Sequence, residues 1–220
     1  MTKSPRALLF DLDGTLVDTA PDLARATNAL RAHHGLAPLP YAAIRPQVSN
    51  GGSALVTLAL GLDKRHPEHD TARQFLLDAY GEAVAVESCL FPHLDRLLAD
   101  CEARRRPWGI VTNKPRAYAE PLVDALGLRP GALLCADDLP VRKPSPEPLL
   151  AAACQLDVPP GSCWYIGDHV RDMQAARAAC MTAVAVGYGY IEEGDDYRSW
   201  PADLWFETCD SLVEALLKSA

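Results

Sequence analysis

The residues Asp11 and Asp13 flank Leu12 directly after a short apolar run near the N-terminus. Because side chains alternate along an extended chain, the two carboxylates would point to the same side. Carboxylates held this close repel each other, and a divalent cation between them or a raised pKa on one of them relieves the repulsion. Gly14 and Thr15 add a tight turn whose backbone N–H groups can hold phosphate oxygens. Taken alone, the segment is also explained by a strand-to-loop turn with solvated acids.

Three further polar clusters follow later apolar runs. Thr112 and Asn113 come after one run, and a hydroxyl beside a backbone amide at a strand end suits phosphate binding. Lys143 lies in the polar loop after the next run, and Asp168 and Asp172 follow the one after that. Each cluster alone is also explained by a helix cap or a solvated side chain. Together they place acids, a hydroxyl and a lysine at successive strand tips, which favours a phosphate-handling site.

The apolar runs themselves predict the element that positions these groups. Runs this continuous are typical of strands buried on both faces of a parallel sheet, and they cover residues 7–10, 108–111, 132–135, 163–166 and 183–186. The segments between them have helix signals, such as Pro21 after Thr19 and Gly127 after Leu126. Strand and helix in repeated alternation predict an α/β fold with a doubly wound, Rossmann-type parallel sheet. Ligands bind such sheets at the carboxyl ends of the strands.

The strand spacing predicts a second unit. The first two strands begin 101 residues apart (7 to 108), whereas a strand–helix–strand unit needs about 30. We therefore predict a catalytic core of residues 1–17 and 89–220 and a helical domain inserted at 18–88, here called the cap. The cap would cover the strand ends as a lid. Within it, the turn with Ser49, Asn50 and Gly51 is the candidate substrate-binding loop, because its glycine permits close approach. Arg45 is a further candidate for a substrate carboxylate, with a solvated arginine as the alternative.

Composition limits the possible partners. Lys and Arg total 21 and Asp and Glu total 29, and the net charge of −8 argues against nucleic acid or an anionic membrane as the partner. No apolar run approaches the roughly 18 residues of a membrane span, and the N-terminal run is too short for a signal peptide. Seven cysteines without a C-x-x-C pair predict reduced thiols in the cytoplasm. The expected partner is a small phosphorylated metabolite, and the oligomeric state is not predicted.

The polar motifs, in this order, resemble those of the haloacid dehalogenase (HAD) superfamily of phosphohydrolases. The matching segments are Asp11-Leu12-Asp13-Gly14-Thr15, Thr112-Asn113, Lys143-Pro144 and Gly167-Asp168 with Asp172. The resemblance implies a HAD-like fold in which Asp11 is the nucleophile and forms an aspartyl-phosphate. Asp13 would protonate the leaving alkoxide and later take a proton from water. Thr112 and Lys143 would hold the phosphoryl oxygens, with Gly14, Thr15 and Asn113 also contacting the substrate.

The same resemblance implies Mg²⁺ as cofactor. Its ligands would be the carboxylates of Asp11 and Asp168 and the backbone carbonyl of Asp13, since hard oxygen ligands suit this ion. Asp172 would hold a metal-bound water or orient Lys143. His169 departs from the pattern, because a small or acidic residue often follows the aspartate at position 168.

Two substrate classes remain open within the family. The cap resembles that of the phosphoglycolate phosphatase branch, which is our first expectation. Residues 48–52, 108–115 and 188–191 also resemble the N-acetylmuramic acid 6-phosphate phosphatases. Both substrates carry a carboxylate and a primary phosphate ester.

Other chemistries of related proteins are weaker alternatives. Dehalogenation is disfavoured because that branch lacks an acid at the position of Asp13. Phosphonate cleavage needs a Schiff-base lysine in the cap, where only Lys64 occurs. A sugar phosphomutase shares every core residue. A phosphorelay receiver module is about half this length and has no cap, and a non-catalytic phosphate sensor would not need the intact acid set.

Overall fold

Six parallel strands form the central sheet of the computed structural model, which describes residues 4–218. The strands of the chain are β1 (Ala7–Phe10), β2 (Val17–Asp18), β3 (Cys89–Leu90), β4 (Trp108–Val111), β5 (Ala132–Leu134), β6 (Cys163–Gly167), β7 (Thr182–Val186) and β8 (Leu204–Phe206). The order across the large sheet is β5-β4-β1-β6-β7-β8, with β1 between β4 and β6. The predicted α/β fold with a doubly wound parallel sheet is confirmed.

Nine helices in the described part of the chain complete the fold. They are α1 (Ala20–His33), α2 (Tyr41–Ile44), α3 (Gly51–Leu60), α4 (His69–Gly81), α5 (Leu94–Ala103), α6 (Arg116–Ala125), α7 (Glu147–Gln155), α8 (Val170–Ala178) and α9 (Cys209–Lys218). Short 3-10 helices cover Arg45–Asn50, Pro160–Ser162 and Tyr197–Ser199.

Helices cover both faces of the sheet, as the continuous apolar strands require. In β1, Leu8 and Phe10 pack into a layer that includes residues of α5, α9 and the cap. Ala7 and Leu9 point the other way, into a layer built largely with α7 and α8. The sheet is therefore buried between two apolar layers, and its polar groups are confined to the strand ends.

The helices α1 to α4 occupy the chain between β2 and β3. Val17 pairs with Leu90 and Asp18 pairs with Cys89 in antiparallel register, so the chain leaves the core and returns to it at one place. Within the described residues, no strand of the large sheet lies among these four helices. The division into a core and an inserted cap with the bounds 18–88 stays a prediction.

Asp22 anchors the segment in which the chain returns from the cap. Its Oδ2 atom accepts hydrogen bonds from the backbone N–H groups of Val86 and Glu87 at 3.1 Å each. It also accepts bonds from the N–H of Ser88 at 2.9 Å and from the Ser88 hydroxyl at 2.7 Å. Burial alone would raise the pKa of Asp22, but these hydrogen bonds outweigh it and hold the pKa below its usual value.

The sequence also predicts that the chain has no membrane span and that its cysteine thiols are reduced. Within residues 4–218, no helix is both long and apolar enough to cross a bilayer. All seven cysteines, which lie in the described range, have free thiols. Four of these thiols are buried, as expected for apolar packing positions.

Candidate active site

The structure brings the four polar motifs of the sequence together at the carboxyl edge of the sheet. The backbone N–H of Asp11 donates to Ile166 O at 2.9 Å, which carries the chain beyond β1 alongside β6. The N–H of Thr112 donates to Leu134 O at 2.8 Å in the same way beyond β4. Lys143, far away in the sequence, places its ammonium 2.9 Å from the Asp11 carboxylate. Parallel neighbouring strands end at one edge, so this gathering follows from the topology.

The ammonium of Lys143 is the electrostatic centre of the site. It is completely buried and lies 2.9 Å from Asp11 Oδ1, 2.9 Å from Asp172 Oδ1, 2.9 Å from Val111 O and 2.7 Å from Tyr165 OH. Four acceptors therefore surround a group that has three protons. Burial by itself lowers the pKa of a lysine, but the two carboxylates outweigh it and raise the pKa of Lys143. Lys143 is therefore charged and neutralises part of the acid cluster.

Asn113 fixes the backbone from which Lys143 extends. Its Nδ2 atom donates to Lys143 O at 2.9 Å, and its Oδ1 atom accepts from Lys143 N at 3.1 Å. Thr112 Oγ1 accepts a hydrogen bond from the N–H of Lys114 at 3.1 Å. Both side chains thus shape the loop around the site, and their contact with a substrate stays a prediction.

Three carboxylates cluster beside Lys143. Asp11, Asp168 and Asp172 each offer an oxygen within 4.8 Å of the other two. Burial, together with the charge of Asp172, raises the pKa of Asp11 to about 6 despite the opposing effect of Lys143. Burial and the charges of Asp11 and Asp172 raise the pKa of Asp168 to about 7. The three carboxylates carry more negative charge than the ammonium of Lys143 offsets. Their oxygen atoms and this excess charge fit a divalent cation such as Mg²⁺.

The carboxylate of Asp168 is held from several sides. Its Oδ1 accepts from Thr15 Oγ1 at 3.1 Å, and its Oδ2 accepts from Ser49 Oγ at 3.0 Å and Tyr190 N at 2.9 Å. Gly14 has a φ of +80°, and a Cβ atom there would overlap the Asp168 carboxylate. Thr15 and Ser49, which the sequence proposes as substrate contacts, therefore bind this carboxylate. Ser49 also connects the cap directly to the acid cluster.

Asp13 lies in a separate group of contacts. Its Oδ1 atom is 2.8 Å from the ammonium of Lys114 and accepts from Thr19 Oγ1 at 2.5 Å. The same ammonium lies 4.4 Å from the ring centroid of Tyr80 on cap helix α4, a cation–π contact. Burial alone would lower the pKa of Lys114, but Asp13 outweighs it and the pKa is raised. Lys114 follows Thr112 and Asn113 directly, but its contact with Asp13, 101 residues away in the sequence, was not predicted.

The 3-10 segment Arg45–Asn50 lies where the sequence predicts a turn with Ser49, Asn50 and Gly51, whose role in substrate binding stays a prediction. It continues directly into α3 at Gly51, whose φ of +79° makes the bend. Arg45 donates to the carbonyls of Gly189 at 2.9 Å and Tyr188 at 3.0 Å, so it binds the core rather than a substrate carboxylate. Asn50 Nδ2 donates to Glu192 Oε1 at 2.7 Å. These contacts dock the cap on the loop after β7.

His169 serves as a helix cap. It precedes α8, accepts a hydrogen bond from the N–H of Arg171 at 3.2 Å, and its own N–H donates to Asp172 Oδ2 at 3.1 Å. Burial and the charge of Arg171 lower the pKa of His169 to about 4. The imidazole is therefore neutral near pH 7, so the departure from the family pattern adds no charge to the site.

Cap and core enclose a cavity of about 530 Å³ between them. Asp11, Asp13, Thr112 and Lys143 lie on its core side. The other walls combine apolar and cationic side chains, which include Leu23, Val48, Leu55, Leu77, Lys64, Arg73 and Arg142. A cavity of this size, whose walls carry more cationic than acidic side chains, suits a small organic anion.

Comparisons with known proteins show the family of this chain. A model of the haloacid dehalogenase-like hydrolase family matches residues 5–179. An N-acetylmuramic acid 6-phosphate phosphatase of Pseudomonas aeruginosa is 43% identical over 213 residues, which cover 96% of this chain and 94% of that protein. A phosphoglycolate phosphatase of Xanthomonas campestris is 40% identical over 212 residues, which cover 96% of each chain.

The solved structures give the same result for the fold. A crystal structure from Haemophilus somnus, described as a predicted phosphoglycolate phosphatase, has a TM-score of 0.83 and 25% sequence identity. The similarity covers 96% of this chain and 97% of that one. The resemblance seen in the sequence motifs is confirmed, and the chain belongs to the haloacid dehalogenase-like hydrolase family.

Proposed function

We propose that this chain is a phosphoric monoester hydrolase that acts on a small phosphorylated metabolite through an aspartyl-phosphate at Asp11. One observation carries the proposal. The Asp11 carboxylate is 14% exposed on the cavity wall, and its Oδ1 atom lies 2.9 Å from the buried ammonium of Lys143. A nucleophile needs this combination of access for the substrate and a fixed cation beside the developing charge. The phosphatase names of the relatives support the same reaction class.

In the first step, Asp11 attacks the phosphorus and the alkoxide leaves. Lys143 and the Thr112 hydroxyl hold the phosphoryl oxygens during the transfer, and Asp13 protonates the leaving oxygen. Lys114 and Thr19 both contact Oδ1 of Asp13, which leaves Oδ2 to carry the proton.

In the second step, water attacks the phosphorus of the aspartyl-phosphate. Asp13 takes a proton from that water, inorganic phosphate is released, and the carboxylate of Asp11 is regenerated. Asp13 gives up one proton in the first half-reaction and regains one in the second, so the acid is restored at the end of the cycle. Asp172 orients Lys143 through the contact of 2.9 Å between them.

Mg²⁺ is the proposed cofactor. The carboxylates of Asp11 and Asp168 and the backbone carbonyl of Asp13 would hold it, and when bound it supplies positive charge next to the phosphoryl oxygens. The raised pKa values of Asp11 and Asp168 support this assignment, because both carboxylates lack sufficient positive charge around them.

Two substrates are candidates. Phosphoglycolate is supported by the cap resemblance and by the names of relatives that are up to 40% identical. N-acetylmuramic acid 6-phosphate is supported by the name of a relative at 43% identity and by the cavity. A volume of about 530 Å³ is far larger than a two-carbon acid phosphate fills, whereas an amino-sugar acid phosphate occupies much more of it. The cavity therefore favours the larger substrate.

The test is phosphate release from both compounds in parallel, with Mg²⁺ and with a chelator. Asp11→Asn is the control for background phosphatase. A large preference in kcat/KM for one compound, lost in the variant and in the chelator, supports the proposal and names the substrate. Weak, equal turnover of both compounds would reject both as the natural substrate but would still support phosphomonoester hydrolysis as the reaction class. No Mg²⁺-dependent release from any phosphomonoester would favour a phosphomutase or a sensor.

A further inference from the structure

Helix α4 presents three side chains to the cavity at helical spacing. Arg73, Leu77 and Tyr80 occupy positions i, i+4 and i+7, which lie on one face of a helix, and all three line the cavity. Gly52 of α3 packs over two of them, because a Cβ atom there would be 3.5 Å from Leu77 Cδ2 and 3.7 Å from Arg73 Nε. The two cap helices therefore confine this face of α4, here called the α4 stripe.

The two ends of the α4 stripe lie at different depths of the cavity. Tyr80 is at the reacting end, since its ring contacts the Lys114 ammonium that holds Asp13. Arg73 lies seven residues earlier, which places its Cα roughly 10 Å further along the helix axis. An arginine is therefore rooted well away from the position of the transferring phosphoryl group.

The charge of Arg73 has no partner within residues 4–218: its guanidinium makes neither a hydrogen bond nor an ion pair there. Its charge acts on the Tyr118 hydroxyl, whose pKa it lowers against the stronger raising effects of burial and of Asp78. Lys64 and Arg142 also line the cavity but are exposed to solvent, and the partly buried Arg171 already donates to Ser49 O at 2.7 Å. A cation with unused donors on the cavity wall is placed to bind an anion there.

We infer that Arg73 binds the carboxylate of the substrate and selects phosphomonoesters in which that carboxylate lies far from the phosphate. The inference rests on the proposed phosphomonoesterase function. In phosphoglycolate a single methylene separates the carboxylate from the ester oxygen, so the two anions occupy nearly the same place. In a sugar acid phosphate such as N-acetylmuramic acid 6-phosphate, the sugar ring separates them. Leu77, between the two ends of the α4 stripe, offers an apolar contact for such a ring.

A matched pair of substrates isolates the carboxylate. N-acetylmuramic acid 6-phosphate and N-acetylglucosamine 6-phosphate differ only in the lactyl ether that carries the acid. Steady-state kcat and KM are measured for both with the wild type, Arg73→Ala, Arg73→Lys and Arg65→Ala. Arg65 is an exposed arginine of the cap that lies outside the cavity lining, so its variant controls for the loss of one positive charge.

The wild type is expected to prefer the carboxylate-bearing substrate. In Arg73→Ala, its KM rises about tenfold to a hundredfold, the range for losing a hydrogen bond to a charged group. The kcat for this substrate and both constants for N-acetylglucosamine 6-phosphate change little. Arg73→Lys recovers part of the KM, because a lysine keeps the charge without the two-pronged geometry, and Arg65→Ala behaves like the wild type.

Three results would contradict the inference in distinguishable ways. Equal loss on both substrates in Arg73→Ala overturns the carboxylate contact and indicates a general effect on the cap. A wild type that does not prefer the carboxylate-bearing member overturns the selectivity, while phosphate release still supports the proposed function. A wild type that releases no phosphate from either sugar or from p-nitrophenyl phosphate overturns the proposed function itself, and the inference with it.

Discussion

Replacement of Lys143 by methionine tests the electrostatics of the site through stability alone. Methionine keeps the length and apolar stem of the side chain but removes the ammonium. In the structure that ammonium is 0% exposed and lies 2.9 Å from both Asp11 and Asp172. The variant therefore leaves two carboxylates close together in a buried site without their shared counter-charge.

The size of the effect follows from this burial. Breaking a buried ion pair by removing one partner costs about 3–5 kcal/mol. In a chain of this length each kcal/mol lowers the melting temperature by about 2–4 °C, so Lys143→Met should lose about 6 to 20 °C. Lys218→Met is the matched control, because Lys218 is 77% exposed and, within residues 4–218, its ion pair is with Glu214 one helical turn earlier. The free energy of unfolding of Lys218→Met should differ from that of the wild type by no more than about 0.5 kcal/mol.

Thermal unfolding in metal-free buffer measures both variants, and a double-mutant cycle assigns the cause. Asp172→Asn added to Lys143→Met removes one of the two unpaired charges. The double variant should be more stable than the sum of the single effects predicts, by about 1 kcal/mol or more. A loss below about 1 kcal/mol in Lys143→Met, or strict additivity with Asp172→Asn, would refute the assignment of Lys143 as the counter-charge of the acid cluster.

Three further predictions concern the anchor, the phosphoryl contacts and the metal. Asp22→Ala leaves three N–H groups without their acceptor and should lower the free energy of unfolding by about 3 kcal/mol, measured by urea titration. The pKa of Asp22 is lower in the folded than in the unfolded chain. The contribution of Asp22 to the free energy of unfolding is therefore present above about pH 4 and is lost as the pH falls through the folded-state pKa. If wild type and variant unfolded at the same pH in an acid titration, this prediction would be wrong. Thr112→Val should reduce kcat by two to three decades, about 3 kcal/mol, and should lower the melting temperature by about 2 to 4 °C because the Lys114 N–H loses its acceptor; a decrease in kcat of less than fivefold would exclude the phosphoryl contact. Mg²⁺ should raise the melting temperature of the wild type but have little effect on Asp168→Asn, and equal stabilisation of both would place the ion elsewhere.

Local patterns sufficed for the parts of the fold in which burial is continuous. The runs at 7–10 and 108–111 match β1 and β4, because strands buried on both faces are apolar at every position. The edge strand β8 was not predicted, since Trp205 is exposed and its two neighbours in the strand are partly exposed, so the strand lacks that pattern. The predicted strand at 183–186 begins one residue earlier in the structure.

In the candidate site, some residues were predictable from the local sequence, whereas the roles of others depend on contacts that are distant in the sequence. Asp11 and Asp168 were predictable because they follow buried strands whose ends must meet at one edge. The roles of Arg45 and Lys114 were not, because each depends on a contact more than 100 residues away in the sequence, with Gly189 and with Asp13 respectively. Nothing in the residues around either cation indicates that partner.

The stereochemical course at phosphorus tests the central claim, covalent catalysis by Asp11, most directly. A phosphorothioate ester made chiral at phosphorus with one heavy oxygen isotope is hydrolysed by the wild type in water labelled with the other heavy isotope, and the configuration of the released inorganic thiophosphate is determined. Transfer to Asp11 followed by transfer to water comprises two in-line displacements, each of which inverts the phosphorus. The account predicts net retention of configuration. Net inversion would mean that water attacks the substrate directly, and Asp11 would then not be the nucleophile.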